Sequence, residues 1–247
     1  MLKDKVTICI PTNFVPTSPS SALVEYTLEK LIESSPELAE CPVVISCDVH
    51  PERNGDLECE YVANLEAFAC KSGGRITAIN SQSDQGQRTS FLNMATHTKT
   101  PYMLHFEHDW TFTKHVPFDI LVELMEKYED MKFIAFSKKP IVQRGCDYIL
   151  EDGEIPELPL LKSSRYSNNP HFARTSFWDV RMRALLGVAP HQSKHITEIP
   201  VFSAYKYDVK KNGFAEAQRD WGVYLYGAMG DAPVLHHTDG RKWRPHA

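Results

Sequence analysis

The sequence predicts a single α/β domain over residues 1–247, with a mainly parallel sheet and helices on both faces. Short β-branched runs alternate with segments of helical periodicity through roughly the first 140 residues, which is the pattern of βαβ units. Polar segments follow the ends of the apolar runs. The chain has 247 residues, 42% of them apolar, and this is enough for one large buried core.

The strands are predicted from β-branched runs that end at polar residues or proline. The first run is followed by Pro11, which cannot continue a central strand. The second ends at Asp48. The five predicted strands are 6–10, 43–47, 75–79, 102–106 and 132–136.

The helices between these strands are predicted from apolar residues at helical spacing. One opens near residues 19–21, the second ends at Gly73-Gly74, a short third surrounds Phe91, and the fourth begins at Pro117. Their apolar stripes are Val24, Leu28, Leu31 and Ile32; Leu57, Tyr61, Leu65 and Phe68; Phe91, Leu92 and Ala95; and Ile120, Leu121, Leu124 and Met125.

The second part of the chain, about 141–247, is less regular. Asp152-Gly153 predicts a hairpin turn between 147–150 and 154–156, and a helix is expected over 176–186. The segment 190–211 fits either helix or loop. Histidine and basic residues are concentrated in 236–244.

Composition narrows the class of protein. The net charge of −5 and the pI near 6.1 argue against a nucleic-acid partner, which usually meets a basic face. No apolar run approaches the ~18–20 residues that cross a bilayer. The N-terminus does not resemble a signal peptide, and the six cysteines form no C-x-x-C pair. We therefore expect a soluble, cytoplasmic protein.

Four polar segments stand where predicted strands end. In open α/β sheets, ligands bind outside the carboxyl ends of the strands, so these segments are expected to form one site. They are Pro11-Thr12-Asn13, Asp48, the loop 81–88 and Glu107-His108-Asp109.

Two of these segments have ligand-binding chemistry. Glu107 and Asp109 are two residues apart on a turn, so both carboxylates can face one cation, and carboxylate oxygens suit Mg²⁺ or Mn²⁺. Such a cation can neutralise a leaving diphosphate. The loop around Gly86 offers backbone donors, Gln85 and Arg88 to an anion beside a helix start. Either segment is also compatible with an ordinary solvent-facing turn.

Together these motifs resemble the nucleotide-binding half of family-two inverting glycosyltransferases, which have the glycosyltransferase-A (GT-A) fold. The resemblance covers roughly residues 5–140 and rests on Val6 to Thr12, Asp48, Gly86-x-Arg88 with Asn93, and 102–109. Three departures are Glu107 in place of Asp, Trp110 at a position that is often acidic, and the short spacing from Gly86 to Arg88.

The resemblance implies a nucleotide-diphosphate-sugar donor, a metal ion (Mn²⁺ or Mg²⁺) and a glycan or other hydroxyl acceptor. UDP-sugar is preferred to a GDP-sugar. Asp109, with Glu107, is implied as metal ligand, and a C-terminal histidine, His237, is expected to complete the shell. The implied donor-binding residues are Pro11, Thr12, Asn13, Asp48, Gln85, Arg88, Glu107, His108, Asp109 and Arg241.

An inverting transferase also needs a general base for the acceptor hydroxyl. In the family this acid follows the metal motif, and Glu198 is the preferred position, with Asp220 as competitor and Asp179 as a weaker one. Acceptor contacts are expected from aromatic and polar residues of the second part. The candidates chosen are His171, Arg174 and Trp221.

Three other functions remain open. A non-catalytic nucleotide- or carbohydrate-binding module would keep the fold and lack the base. A sugar nucleotidyltransferase shares the sheet but usually opens with a glycine- and lysine-rich loop, unlike 11–14. A zinc hydrolase would use several of the 11 histidines, among them His105, His108 and His115.

Overall fold

The structure is a computed structural model that describes residues 1–15, 19–48, 55–80, 86–143, 148–188 and 198–239. Within those ranges no helix combines the length and the apolar character that crossing a membrane requires.

A nine-stranded sheet forms the centre of the protein, in the order β3-β2-β1-β4-β9-β6-β10-β8-β7. All strands run in one direction except β8 and β9, so the sheet is mostly parallel, as predicted. Its strands are β1 Val6–Thr12, β2 Val43–Cys47, β3 Ile76–Asn80, β4 Tyr102–His105, β6 Phe133–Ala135, β7 Leu150–Asp152, β8 Leu160–Ser163, β9 His171–Arg174 and β10 Val223–Tyr226.

A second, two-stranded sheet pairs β5 (Trp110–Phe112) with β11 (Leu235–His237) in antiparallel register. β5 begins directly after the Glu107-His108-Asp109 turn, and β11 comes from the far end of the chain. This small sheet therefore joins the two parts of the sequence beside the predicted metal motif.

Helices cover both faces of the large sheet, and a separate apolar core lies between each face and its helices. Val24, Leu65 and Leu121 belong to the core on one face, and Phe91, Trp178 and Tyr205 belong to the core on the other. The helices are α1 Ala22–Ser34, α2 Asp56–Lys71, α3 Gly86–His97, α4 Phe118–Lys127, a π-helical stretch Phe177–Met182 continued by α5 Arg183–Val188, α6 Glu198–Asn212 and α7 Phe214–Trp221.

The first part of the chain follows the prediction within about two residues at most boundaries, although α3 is longer than expected. The second part differs more. The hairpin exists, but β7 pairs with β8, so the return strand begins at Leu160 and not at residue 154. β9 lies antiparallel between β4 and β6. Neither β9 nor β10 was predicted from the sequence. The ambiguous segment 190–211 contains α6 from Glu198 onward.

Candidate active site

The carboxyl ends of β1 and β2 bring together the first two predicted segments. Thr12 lies beside Cys47 in the parallel register, and the Asp48 N–H donates to the Thr12 carbonyl at 3.2 Å. The Thr12 hydroxyl, only 3% exposed, shares a hydrogen bond with the Tyr61 hydroxyl. Phe14 packs edge-on against the Tyr61 ring, with centroids 6.2 Å apart. An aromatic and polar wall therefore lies where a nucleoside is expected.

The Glu107-His108-Asp109 turn follows β4 at the same edge, since β4 pairs with β1 in parallel. His108 Nδ1 lies 3.4 Å from the Pro11 carbonyl oxygen, and the Thr27 hydroxyl donates to the His108 carbonyl. Burial lowers the pKa of His108, while the Asp109 carboxylate opposes that shift. The imidazole thus fixes the turn against β1 chiefly in its neutral form.

Asp109 and His237 come into direct contact across the small sheet. The Asp109 Oδ2 and His237 Nε2 atoms are 3.0 Å apart, with the carboxylate 20% exposed and the imidazole 47% exposed. Thr238 holds the backbone of the pair, since its N–H and hydroxyl both donate to the Asp109 carbonyl, at 2.8 and 3.0 Å. A carboxylate and an imidazole separated by 128 positions in sequence therefore lie in contact at one solvent-accessible position.

Glu107 points differently from Asp109. The Trp110 indole N–H donates to Glu107 Oε2 at 2.7 Å, and the Trp110 ring packs on His237 with centroids 4.6 Å apart. Glu107 therefore orients the indole beside the Asp109–His237 pair, and one of its oxygens is already engaged.

The donor set at this point fits a hard divalent cation completed by its substrate. Mg²⁺ sites in phosphate-transferring proteins often use one or two protein ligands and take their remaining oxygens from phosphate and water, and imidazole also suits Mn²⁺. Asp109 and His237 supply such a pair. Within the described part of the chain, no group of three or more His, Cys, Asp or Glu side chains has metal-binding geometry.

Glu198 is the first residue of α6 and lines a cavity of about 250 Å³ beside the carboxyl end of β6. Burial raises the pKa of Tyr166 well above its usual range, and the carboxylates of Glu198 and Glu107 add to the increase. Both carboxylates thus act on the same buried phenol. Glu198 and Glu107 are therefore both within electrostatic range of Tyr166.

Residues in the wall of the cavity contact the small sheet beside the Asp109–His237 pair. Lys138 Nζ lies 5.5 Å from the centroid of the Trp110 ring. The Ser137 carbonyl accepts hydrogen bonds from the backbone N–H groups of Val234 and Leu235, at 3.0 and 3.1 Å, at the start of β11. The segment after β6 therefore contacts both strands of the small sheet.

Three predicted residues lie at the opposite edge of the sheet. Asp220 and Trp221 end α7, just before β10 begins, and Arg174 ends the antiparallel strand β9 beside Tyr102, the first residue of β4. A base or acceptor contact at the carboxyl edge is out of reach from there. We correct these three assignments because strand direction separates them from the site.

Each of these three side chains has a structural partner instead. Arg174 donates from Nε to the Met131 carbonyl at 2.9 Å and from Nη2 to the carbonyls of Met125 and Tyr128. The Trp221 indole donates to Asp208 at 2.8 Å. The Asp220 carboxylate, whose side chain is 69% exposed, lies 3.9 Å from the Arg181 guanidinium.

His171 lies at the correct edge but is completely buried. Its ring stacks between Phe133, at 4.4 Å, and His105, at 4.7 Å, in the second core. Burial lowers its pKa to about 3. No acceptor can touch an imidazole with 0% exposure, so the predicted acceptor contact is also corrected.

The remaining predicted residues differ in position and exposure. Arg88 is half-buried in the first turn of α3, and Asn13 is exposed after β1. Asp179 pairs with Arg183 at 2.9 Å on the helical surface. Gln85 and Arg241 lie outside the described residues.

The three histidines considered for a zinc hydrolase do not converge. His105 is enclosed by aromatic rings, His108 faces Pro11, and His115 pairs with Glu37 on the surface at 3.3 Å. Their separation removes the observation that suggested a zinc site.

Sequence reasoning missed the cations of the cavity and the anchoring role of Thr238. Lys138-Lys139 directly follows β6, and Arg165 follows β8. The rule that polar residues after a strand form the site, applied to the strand at 132–136, would have selected the two lysines. No comparable pattern marks Arg165, because β8 runs antiparallel.

No protein-family model matches the sequence, and no curated protein sequence is significantly similar to it. Solved structures are similar in fold. TarS 1-349 of S. aureus in complex with UDP-GlcNAc matches 94% of the chain with a TM-score of 0.54 and 11% identity. The mannosyltransferase PcManGT of Pyrobaculum calidifontis, in complex with GDP-Man and Mn²⁺, matches 93% with a TM-score of 0.51 and 12% identity.

GalNAc-T7 with UDP, GalNAc and Mn²⁺ matches 96% of the chain with a TM-score of 0.55 and 10% identity. The chain spans 57%, 55% and 44% of the lengths of these three proteins, respectively. All three are GT-A-type glycosyltransferases, and the resemblance inferred from the sequence is confirmed at the level of the fold. The chain therefore has the glycosyltransferase-A fold.

Proposed function

We propose that the chain is a metal-assisted, inverting glycosyltransferase that moves a sugar from a nucleotide diphosphate to an acceptor hydroxyl. The observation that carries the proposal is the Asp109–His237 pair, 3.0 Å apart at the carboxyl edge of the sheet. The pair lies beside a wall suited to a nucleoside and a cavity that contains a carboxylate.

The donor would lie across the ends of β1, β2 and β4. Thr12, Asp48 and the Phe14–Tyr61 wall surround the expected base and ribose, and the diphosphate would extend toward Asp109. The three similar structures were solved with UDP-GlcNAc, with GDP-Man or with UDP and GalNAc. We favour a UDP-sugar, in keeping with two of them.

Asp109 and His237 would hold Mn²⁺ or Mg²⁺, which when bound offsets the charge that develops on the departing diphosphate. Trp110 would keep His237 in place by ring packing, and Thr238 would keep Asp109 in register. Glu107 orients Trp110 through the indole hydrogen bond. These five residues would form one unit around the leaving group.

Glu198 would act as the general base. A carboxylate that accepts the proton of the acceptor hydroxyl allows that oxygen to attack the anomeric carbon from the side opposite the diphosphate, which inverts the configuration. Glu198 is half-buried at the start of α6, in the cavity next to the donor edge. The acceptor would enter through this cavity.

The proposal is tested by calorimetric titration with UDP and with GDP, each with and without Mn²⁺. The wild-type chain is expected to bind one nucleotide more tightly with the metal, and Asp109→Ala is expected to lose the metal effect. His236→Ala is the matched control, because His236 is the exposed neighbour of His237 on the same strand.

Failure of both nucleotides to bind, with or without Mn²⁺, would overturn the transferase proposal. Binding that is equally tight with and without metal in the wild type would overturn its metal-assisted form. If Asp109→Ala and His236→Ala lose the metal effect on nucleotide binding equally, the loss reflects general damage to the small sheet and contradicts a specific role of Asp109.

A further inference from the structure

The cavity beside the donor edge is cationic in an acidic protein. Lys138, Lys139 and Arg165 line it, and Glu198 is the one carboxylate among its described lining residues, whereas the whole chain has a net charge of −5. Positive charge gathered in a concave site raises the local concentration of anionic ligands. Seryl and amide groups at Ser167 and Asn169 add hydrogen-bonding capacity at the same wall.

In the part of the chain that the structure describes, no carboxylate neutralises the three cations. The contacts of Lys138 and Arg165 are with aromatic rings, Trp110 at 5.5 Å and Tyr148 at 5.6 Å. Within the described residues, neither these two nor Lys139 forms an ion pair. All three cations are therefore available to an anionic ligand.

Two segments of the chain supply these charges to the lining of the cavity. Lys138 and Lys139 follow β6, while Arg165 follows β8, with β10 between the two strands. A guanidinium binds phosphate or carboxylate oxygens in a planar, two-point manner, and lysines add point charges. The arrangement can enclose a compact anionic group, with Glu198 left to meet a neutral hydroxyl.

We propose that the acceptor carries an anionic group, best matched by a phosphate ester, and that Lys139 and Arg165 bind it. The inference rests on the proposed function, because it treats this cavity as the acceptor site. Among the described lining residues, three cations against one carboxylate leave an excess that suits a phosphate monoester of about −1.5 to −2 charge at neutral pH. Lys138 contacts Trp110, beside the proposed metal ligands.

The same cations could instead serve the diphosphate of the donor, and the experiment separates these two sources of phosphate. Glucose, glucose 6-phosphate and glucuronic acid are titrated into the wild-type chain that is saturated with UDP and Mn²⁺. The three probes share a pyranose ring and differ in charge. UDP itself is titrated separately into each variant.

We expect glucose 6-phosphate to bind at least about tenfold more tightly than glucose, with glucuronic acid between them. Lys139→Gln combined with Arg165→Gln should lower the affinity for glucose 6-phosphate about tenfold or more and leave the Kd for UDP unchanged. Lys71→Gln, at an exposed lysine at the end of α2, is the control for loss of a surface cation and should change neither.

Three results would overturn the inference. Equal binding of glucose and glucose 6-phosphate would remove the anionic preference while leaving the transferase proposal intact. Weaker UDP binding in the double variant would assign the cations to the donor. If UDP fails to bind, the transferase proposal falls, and the acceptor assignment falls with it.

Discussion

The two edges of the central sheet use similar residues for different purposes. At the amino edge, Arg174 and Trp221 have their donors taken by carbonyls and by Asp208. At the carboxyl edge, Asp109 and His237 meet each other in contact with solvent, and the cavity cations have no ion pairs within the described residues. Residue type alone does not separate a structural polar group from one available to a ligand.

Strand direction makes the difference. Because β9 is antiparallel, its last residue Arg174 lies beside the first residues of β4, far from the turn that follows β4. The rule that ligands bind at carboxyl ends holds for the parallel strands only.

Glu198→Gln should lower the rate of sugar transfer by about 10²- to 10⁴-fold, because it removes the proton acceptor and keeps the shape. UDP affinity should not change. The measurement is the release of UDP from a UDP-sugar. Asp220→Asn is the control at the opposite edge and should leave the rate unchanged, whereas a loss in Asp220→Asn alone would reverse the assignment.

Arg174→Met should lower the free energy of unfolding by about 3 kcal/mol, since three carbonyls lose a charged donor that is partly buried. Urea denaturation measures the change. The Kd for UDP of the folded variant should equal that of the wild type. A variant with normal stability and weaker UDP binding would contradict the structural role of the amino edge.

His171 should make the protein sensitive to acid. Burial lowers its pKa from 6.5 to about 3, so the unfolded chain binds the proton first. The free energy of unfolding is therefore fully retained above pH 6.5 and falls as the pH drops toward 3. The contribution of His171 lost between pH 7 and pH 5 is about 2 kcal/mol.

The test of this pH effect compares urea denaturation of the wild type and His171→Phe at both pH values. Phenylalanine keeps the ring stack and cannot take up a proton. The variant should lose less stability than the wild type between pH 7 and pH 5, even if its stability at pH 7 is lower. Equal losses in the two proteins would contradict the assignment.

His237→Ala should weaken the metal-linked part of UDP binding by about tenfold, and His236→Ala should not. The two histidines are adjacent on β11, but only His237 contacts Asp109. Titration of UDP in the presence and absence of Mn²⁺ measures the effect. If the metal enhancement survives in His237→Ala, Asp109 would be holding the ion without the imidazole.

Much of the fold was predictable because local periodicity is strong in the first part of the chain. The apolar runs that became β1 and β2, and the helical stripe of α1, each have one clear period and a clear stop. The strands β9 and β10, in the less regular second part of the chain, were not predicted. Their pairing depends on residues distant in sequence.

The site was predictable in the same uneven way. Thr12, Asp48 and the Glu107-His108-Asp109 turn follow parallel strands, so sequence order indicated that they share an edge. His171 and Trp221 have the side chains of a binding site, but the core encloses them. Exposure is a property of the assembled layers, and the sequence does not state it.

Short-range pattern was sufficient to predict the α/β class, the central run of parallel strands and the carboxylate turn. The folded protein alone shows that His237 contacts Asp109 and that one cavity is lined by Glu198, Lys138, Lys139 and Arg165. These contacts join residues far apart in the chain. Their formation depends on strand order and direction, which are set by the packing of the whole sheet.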